Sequence, residues 1–231
     1  MHRIYNVVSP HLDDAALSCS LLLAANPGSY VTTVFAGGPA SMPELTTWDR
    51  LARYFPDGAD VVGVRRGEDI SASALVSAKP VHLEYWDRQY RNEGQGYQGP
   101  AEQDLAEAIT AELLSRRPPA DHWVIPLGLG HPDHRLAAEA GLMLAERAAG
   151  EFYVYEELPY AVELESEVAD RKSCLADRGF TLKEDPAVDI ADNRRLKTAV
   201  IRCHASQRRL LRRRVWRARR SPERIWRLLR R

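Results

Sequence analysis

Short runs of β-favouring apolar residues alternate along the chain with longer stretches of helical period, and this alternation restricts the fold more than any other property of the sequence. "RIYNVV" (3–8), "YVTTVFAG" (30–37), "VHLEYW" (81–86), "HWVIPL" (122–127) and "FYVYEELPY" (152–160) read as strands. Residues 14–25, 64–76, 99–117 and 131–149 read as helices; the third stops before Pro118-Pro119 and the fourth has proline in its first turn. Strand–helix–strand succession of this kind predicts a mainly parallel sheet with helices on both faces. At 231 residues and 45% hydrophobic content the chain can bury one such three-layer α/β core. No run approaches the roughly 20 apolar residues of a membrane span. "MHRIYNVVSPH" lacks the pattern of a secretory signal. Cys19, Cys174 and Cys203 are odd in number and far apart, which fits a reducing compartment, and a cytoplasmic location is expected.

Two clusters of histidine and carboxylate fall at strand-to-helix junctions: His11-Leu12-Asp13-Asp14 after the first strand and His131-Pro132-Asp133-His134 after "HWVIPL". Open α/β sheets bind ligands beyond the carboxyl ends of their strands, so the clusters can face one crevice. Imidazole and carboxylate suit Zn²⁺, and a catalytic zinc needs three protein ligands with one position open. His11 and Asp14, three apart, can converge, whereas the adjacent Asp13 and Asp14 must diverge. One aspartate can then bind metal while its neighbour handles a proton. The competing reading is that Asp13 and Asp14, like Pro132-Asp133, merely start helices. The loop 37–48, with two glycines and two prolines, is a candidate border of the crevice.

"PHLDD" followed by "GHPDHR" resembles the PIG-L/LmbE family of zinc-dependent N-deacetylases, as do, in order, "WDRL" (48–51), "RRGED" (65–69), "YWDRQYR" (85–91), "YEELPY" (155–160) and "KTAVIRCHASQ" (197–207). The resemblance implies a Rossmann-like domain over residues 1–207 that hydrolyses an N-acyl group, first of all N-acetyl, on an amino sugar or glycoconjugate. By the same resemblance His11, Asp14 and His134 hold one zinc per chain, Asp13 is the general base and His131 lies beside the reacting carbonyl. Arg65 and Asp87 are implied as sugar contacts. Leu12 and Ala15 depart from the family's commonest first motif, Pro-His-Pro-Asp-Asp-Glu, at positions not implied as ligands; they suggest a divergent subgroup. Cobalt, iron or manganese also suits such ligands. Alternatives are an amidase of a non-sugar substrate and a catalytically silent binding module, though a silent descendant need not keep both base and ligands. His2, His82 and His122 are expected to be surface or core residues, and His204 is left out of the site.

The net charge of zero conceals a division. From Asn193 onward there are sixteen Lys and Arg against the single acid Glu223, leaving sixteen bases against thirty-one acids before it. Residues 208–231 therefore read as a separate basic extension, two short amphipathic helices broken near Ser221-Pro222-Glu223. Its expected partners are the chain's own acidic body or a second copy, or an anionic membrane surface on the inner face. Guidance of an anionic substrate is a further reading, and nucleic acid is disfavoured by the acidic body.

Overall fold

The computed structural model describes residues 3–39, 42, 44–93, 96–116, 118–120, 122–186, 188, 190–207 and 212–230. In chain order its elements are β1 (Tyr5–Ser9), α1 (Asp14–Ser18), α2 (Ser20–Ala25), β2 (Tyr30–Thr33), α3 (Thr47–Ala52), α4 (Val61–Leu75), β3 (Lys79–His82) and α5 (Arg88–Asn92). A 3₁₀ turn at Glu102–Asp104 leads into α6 (Leu105–Ser115). There follow β4 (His122–Pro126), α7 (Pro132–Arg147), β5 (Glu151–Tyr155), α8 (Tyr160–Glu163), α9 (Glu165–Asp177), β6 (Phe180–Lys183), α10 (Arg194–Arg202), α11 (Arg212–Ala218) and β7 (Ile225–Arg230).

Among the described residues the strands form one seven-stranded sheet in the order β3-β2-β1-β4-β5-β7-β6. β1 to β5 are mutually parallel, and β7 runs antiparallel to β5 and β6. Period-two alternation divides the central strands between two layers. Val8, Trp123, Ile125, Phe152 and Val154 pack against α6 and α7. Tyr5, Val7, Val124, Tyr153 and Tyr155 pack on the opposite face with side chains of α1, α2, α4 and α10. The expected three-layer α/β architecture is the one observed.

Three local expectations change. The helix foreseen at 14–25 breaks at Cys19 (φ −135°, ψ 10°), because the Leu21 and Leu22 N–H groups bond to the Glu223 carboxylate at 3.0 and 3.2 Å. An unbroken helix would direct them to carbonyls four residues back. The third strand lies at 79–82 rather than 81–86, since β2 leaves the sheet after Thr33 and beyond it only isolated bridges at Glu84 and Trp86 remain. Pro80 is tolerated there because β3 is an edge strand.

The third correction concerns the basic extension. Its first part, α11, is helical, but the helix expected after Ser221 is β7, paired with both β5 and β6. "IWRLLR" satisfies helical and strand periods alike; the open edges of β5 and β6 decide for the strand. Glu223 opens no helix. Its side chain, fully buried, pairs with Lys197 at 3.2 Å and caps the amino end of α2 through Ser20, Leu21 and Leu22.

Candidate active site

β1 and β4 are parallel neighbours, so the segments leaving their carboxyl ends lie side by side. His11, Asp13 and Asp14 from the first and His131 and His134 from the second line one cavity of about 380 Å³, as does Asp87. The cap explanation for Asp13 fails on geometry. Asp13 occupies the N-cap position of α1, yet its side chain makes no cap hydrogen bond. The Ser9 hydroxyl does that work, accepting from the Ala15 N–H at 3.1 Å and donating to the His11 carbonyl at 2.7 Å. The Asp13 carboxylate is thus left to the cavity. Burial, with the neighbouring Asp14 charge, raises its pKa, which suits a proton acceptor working nearer neutrality.

Asp14 has a different task. Its Oδ2 accepts from the His11 backbone N–H at 2.9 Å and stands 3.3 Å from His11 Nδ1 and 3.1 Å from His134 Nε2. Two imidazole nitrogens and one carboxylate oxygen therefore converge within 4.8 Å of one another, the disposition of a three-residue metal site. His11, His131 and Asp133 form a second group of that kind. The two groups differ in their hydrogen bonding. Asp133 already accepts from the Arg88 N–H at 2.9 Å and Arg91 Nη2 at 2.6 Å, and it meets His11 Nε2 at 3.2 Å. His131 Nδ1 accepts from the Asp133 N–H at 3.2 Å. Asp133 thus holds His11 so that Nδ1 faces Asp14, the arrangement that outer carboxylates give metal-binding histidines.

The charge balance fits a cation. Burial drives the His134 pKa down, but the Asp14 charge outweighs it and raises the value to about 9. For His11 too, hydrogen bonds to Asp133 and Asp14 outweigh burial. Burial would raise Asp14, but His134 and His11 hold it well below the usual carboxylate range. The carboxylates thus attract positive charge that protons supply when nothing else does, and these nitrogen and oxygen donors suit a divalent metal. His131 behaves oppositely. Burial and the His11 charge press its pKa to about 4. With Nδ1 engaged as an acceptor, neutral His131 carries its proton on Nε2, a hydrogen-bond donor for the cavity.

The remaining anticipated residues separate. Asp87 lines the cavity while capping α5 through the Gln89 N–H at 3.1 Å. Arg65 is buried, its Nη2 on Asp49 at 2.5 Å and its Nη1 3.3 Å from the Tyr90 hydroxyl, and it lines a smaller void beside His11 and Asp87. Glu68 does not pair with Arg65; it binds the Ser206 N–H and hydroxyl. His82 and His122 pair with Asp69 and Glu151, and His2 lies outside the described residues.

Sequence reasoning missed several contributors. Asp133 backs His11 from 122 positions away. His204 is buried, and its charge lowers the Asp13 pKa against burial; Gln207 lines the cavity. The only signal for these two was the "CHASQ" segment. Gly130, at φ +70°, passes directly under the Tyr160 ring, where a Cβ would collide; that ring meets the His134 imidazole edge-to-face at 5.1 Å.

The chain is similar to known proteins in sequence and fold. A curated relative, 2'-N-acetylparomamine deacetylase of Streptomyces fradiae, is 32% identical over 176 residues, covering 67% of this chain. The chain spans 57% of that relative's length. Among solved structures, the A40926 pseudoaglycone deacetylase superposes with a TM-score of 0.75 at 24% identity, covering 100% of this chain and 98% of the other. The zinc inhibited form of teicoplanin deacetylase gives 0.75 at 24% identity, covering 98% of each. These two likenesses bear on the fold. The family model described as PIG-L, GlcNAc-PI de-N-acetylase, matches residues 6–145, from the first strand through both histidine–carboxylate clusters, and the chain belongs to that family.

Proposed function

We propose that the protein is a metal-dependent hydrolase that removes an N-acyl group, first of all N-acetyl, from an amino sugar or glycoconjugate, with His11, Asp14 and His134 as zinc ligands. The observation that carries this reading is Asp13, a carboxylate that caps nothing and shares a cavity with a convergent His-Asp-His group. The curated relative named as a deacetylase of an N-acetylated amino sugar supports the substrate class. A divalent ion held there supplies a lowered water pKa and polarisation of the amide carbonyl. Asp13 takes the proton of the attacking water and returns it to the departing amine. Neutral His131 donates its Nε2 proton as a hydrogen bond to the oxygen on which charge develops. Asp87, on the cavity wall, meets sugar hydroxyls. Arg65 contributes through the small void beside Asp87.

Elemental analysis tests the reading first. Wild type should hold about one zinc per chain, as expected of a three-ligand catalytic site, and His134→Ala and Asp14→Ala should hold none. Acetate release from N-acetylated amino sugars should then follow metal content. A wild type that takes up no metal when zinc is offered would overturn the hydrolase reading.

The division into a domain over 1–207 and an extension over 208–231 belongs to the same proposal for function rather than packing, since β7 lies within the sheet. α11 presents Trp216, 52% exposed, with Arg220 stacked on it at 4.1 Å, which supports contact with an anionic surface. None of the described helices is long and apolar enough to cross a membrane. Salt-sensitive flotation with anionic but not neutral vesicles, abolished by Trp216→Ala, is the expected result. Equal behaviour on both vesicle types would remove the surface reading.

A further inference from the structure

Glu157 is a wholly buried carboxylate that the chemistry above does not use. It lies two residues beyond β5, and each of its oxygens has a defined task. Oε2 accepts from the Leu127 N–H at 3.1 Å, and Oε1 from the Gly128 and Leu129 N–H groups at 2.7 and 2.9 Å. Three successive amides thus wrap one carboxylate, an anion-binding nest built from the loop between β4 and α7. That loop delivers His131. On its other side Oε1 stands 3.4 Å from His134 Nδ1, while His134 Nε2 is 3.1 Å from Asp14. The Nδ1 contact is at ion-pair distance but lacks hydrogen-bond geometry, and this buried nitrogen has no hydrogen-bond partner among the described residues. His134 is itself 1% exposed.

We propose that Glu157 is a positioning residue of the metal site: it keeps the proton of His134 on Nδ1, turns Nε2 towards Asp14, and holds the His131 loop in register with it. The inference rests on the metal-dependent reading given above. Its physical basis is the orientation of a five-membered ring with two nitrogens. A carboxylate beside Nδ1 favours the tautomer whose Nε2 lone pair is available to a metal, and an amide in its place offers a donor or an acceptor with little preference. Asp133 does the same for His11 from the opposite side, so both imidazoles are braced from behind by carboxylates. Glu157 also spans to the loop of a third site residue, as Asp133 spans to Arg88 beside Asp87. A loop staple alone would not require His134 to face it.

The test uses the full chain, zinc alone as ligand, and three forms of the protein. Glu157→Gln keeps the shape and removes the charge, and its zinc dissociation constant, measured by competition with a chromophoric chelator, should rise roughly 10–100-fold. Arg171→Ala loosens the same loop from its other side, where Arg171 Nε donates to the Leu127 carbonyl at 3.0 Å, without touching Glu157. It should lower thermal stability yet leave zinc affinity at the wild-type value. Unchanged affinity in Glu157→Gln, or an equal loss in Arg171→Ala, would reduce Glu157 to a loop staple. Should Glu157→Gln fail to fold, nitrogen-15 spectra of zinc-loaded wild type decide. A His134 Nδ1 proton exchanging slowly with solvent is the expected result, and a rapidly exchanging one overturns the proposal. Absence of zinc binding in wild type would instead count against the hydrolase reading itself.

Discussion

Asp13→Asn is expected to lower kcat roughly 10²–10⁴-fold while zinc content stays at the wild-type level, the usual range for loss of a general acid–base group. In activation terms that is about 3–5.5 kcal/mol. The asparagine has the same outline as the aspartate and accepts no proton. Because Ser9 rather than Asp13 caps α1, the substitution removes no helix cap, and the unfolding midpoint should barely move. Side-by-side measurement of kcat, metal content and unfolding midpoint separates this outcome from its rivals. Residual activity within tenfold of wild type would assign the proton to another group, with His204 the first to examine. A large drop in stability would restore the capping role.

The second large effect concerns stability alone. Glu223→Ala is expected to destabilise the fold by about 3–5 kcal/mol, the cost of leaving one member of a buried ion pair unpaired. Lys197, 2% exposed, would keep its ammonium without a carboxylate, and the Ser20 hydroxyl and the Leu21 and Leu22 N–H groups would lose their acceptor. For a domain of this size each kcal/mol displaces the midpoint by roughly 2–4 °C, so a fall of the order of 10 °C is the thermal signature. Glu223→Gln, which retains an acceptor oxygen, should fall between the two. A loss in Glu223→Ala below about 1 kcal/mol, the level of exposed pairs, would mean that the pair is effectively solvated.

These two residues mark the boundary of what the sequence revealed. That Asp13 shares a cavity with the histidines was legible because the pattern is local: two clusters, each after a strand, at positions where a parallel sheet opens a crevice. The strands and helices of the body were legible for the same reason, since periods of two and 3.6 are properties of neighbouring residues. Glu223 was misread because the local signal, Ser-Pro-Glu, describes a helix start equally well, and the α2 groups it caps lie some two hundred positions earlier. Asp133 and Glu157 stayed hidden for a related reason. Their work is done on His11 and His134 through contacts that spacing does not encode. For Arg65 the sequence did not show that Asp49 and Tyr90 engage its guanidinium, since both partners come from other segments.

The position of β7 has a consequence for how the molecule comes into being. In space it separates β5 from β6; in sequence it follows both. A ribosome therefore releases β6 before any neighbour exists for it, and β5 waits with a bare edge that invites foreign strands. Only when residues 225–230 emerge does the gap fill, and the residue just before that strand immediately receives the Glu156 N–H on its carbonyl, at 3.0 Å. Glu157 is the next residue along. Completion of the sheet beside Glu157 should then await the emergence of residues 225–230.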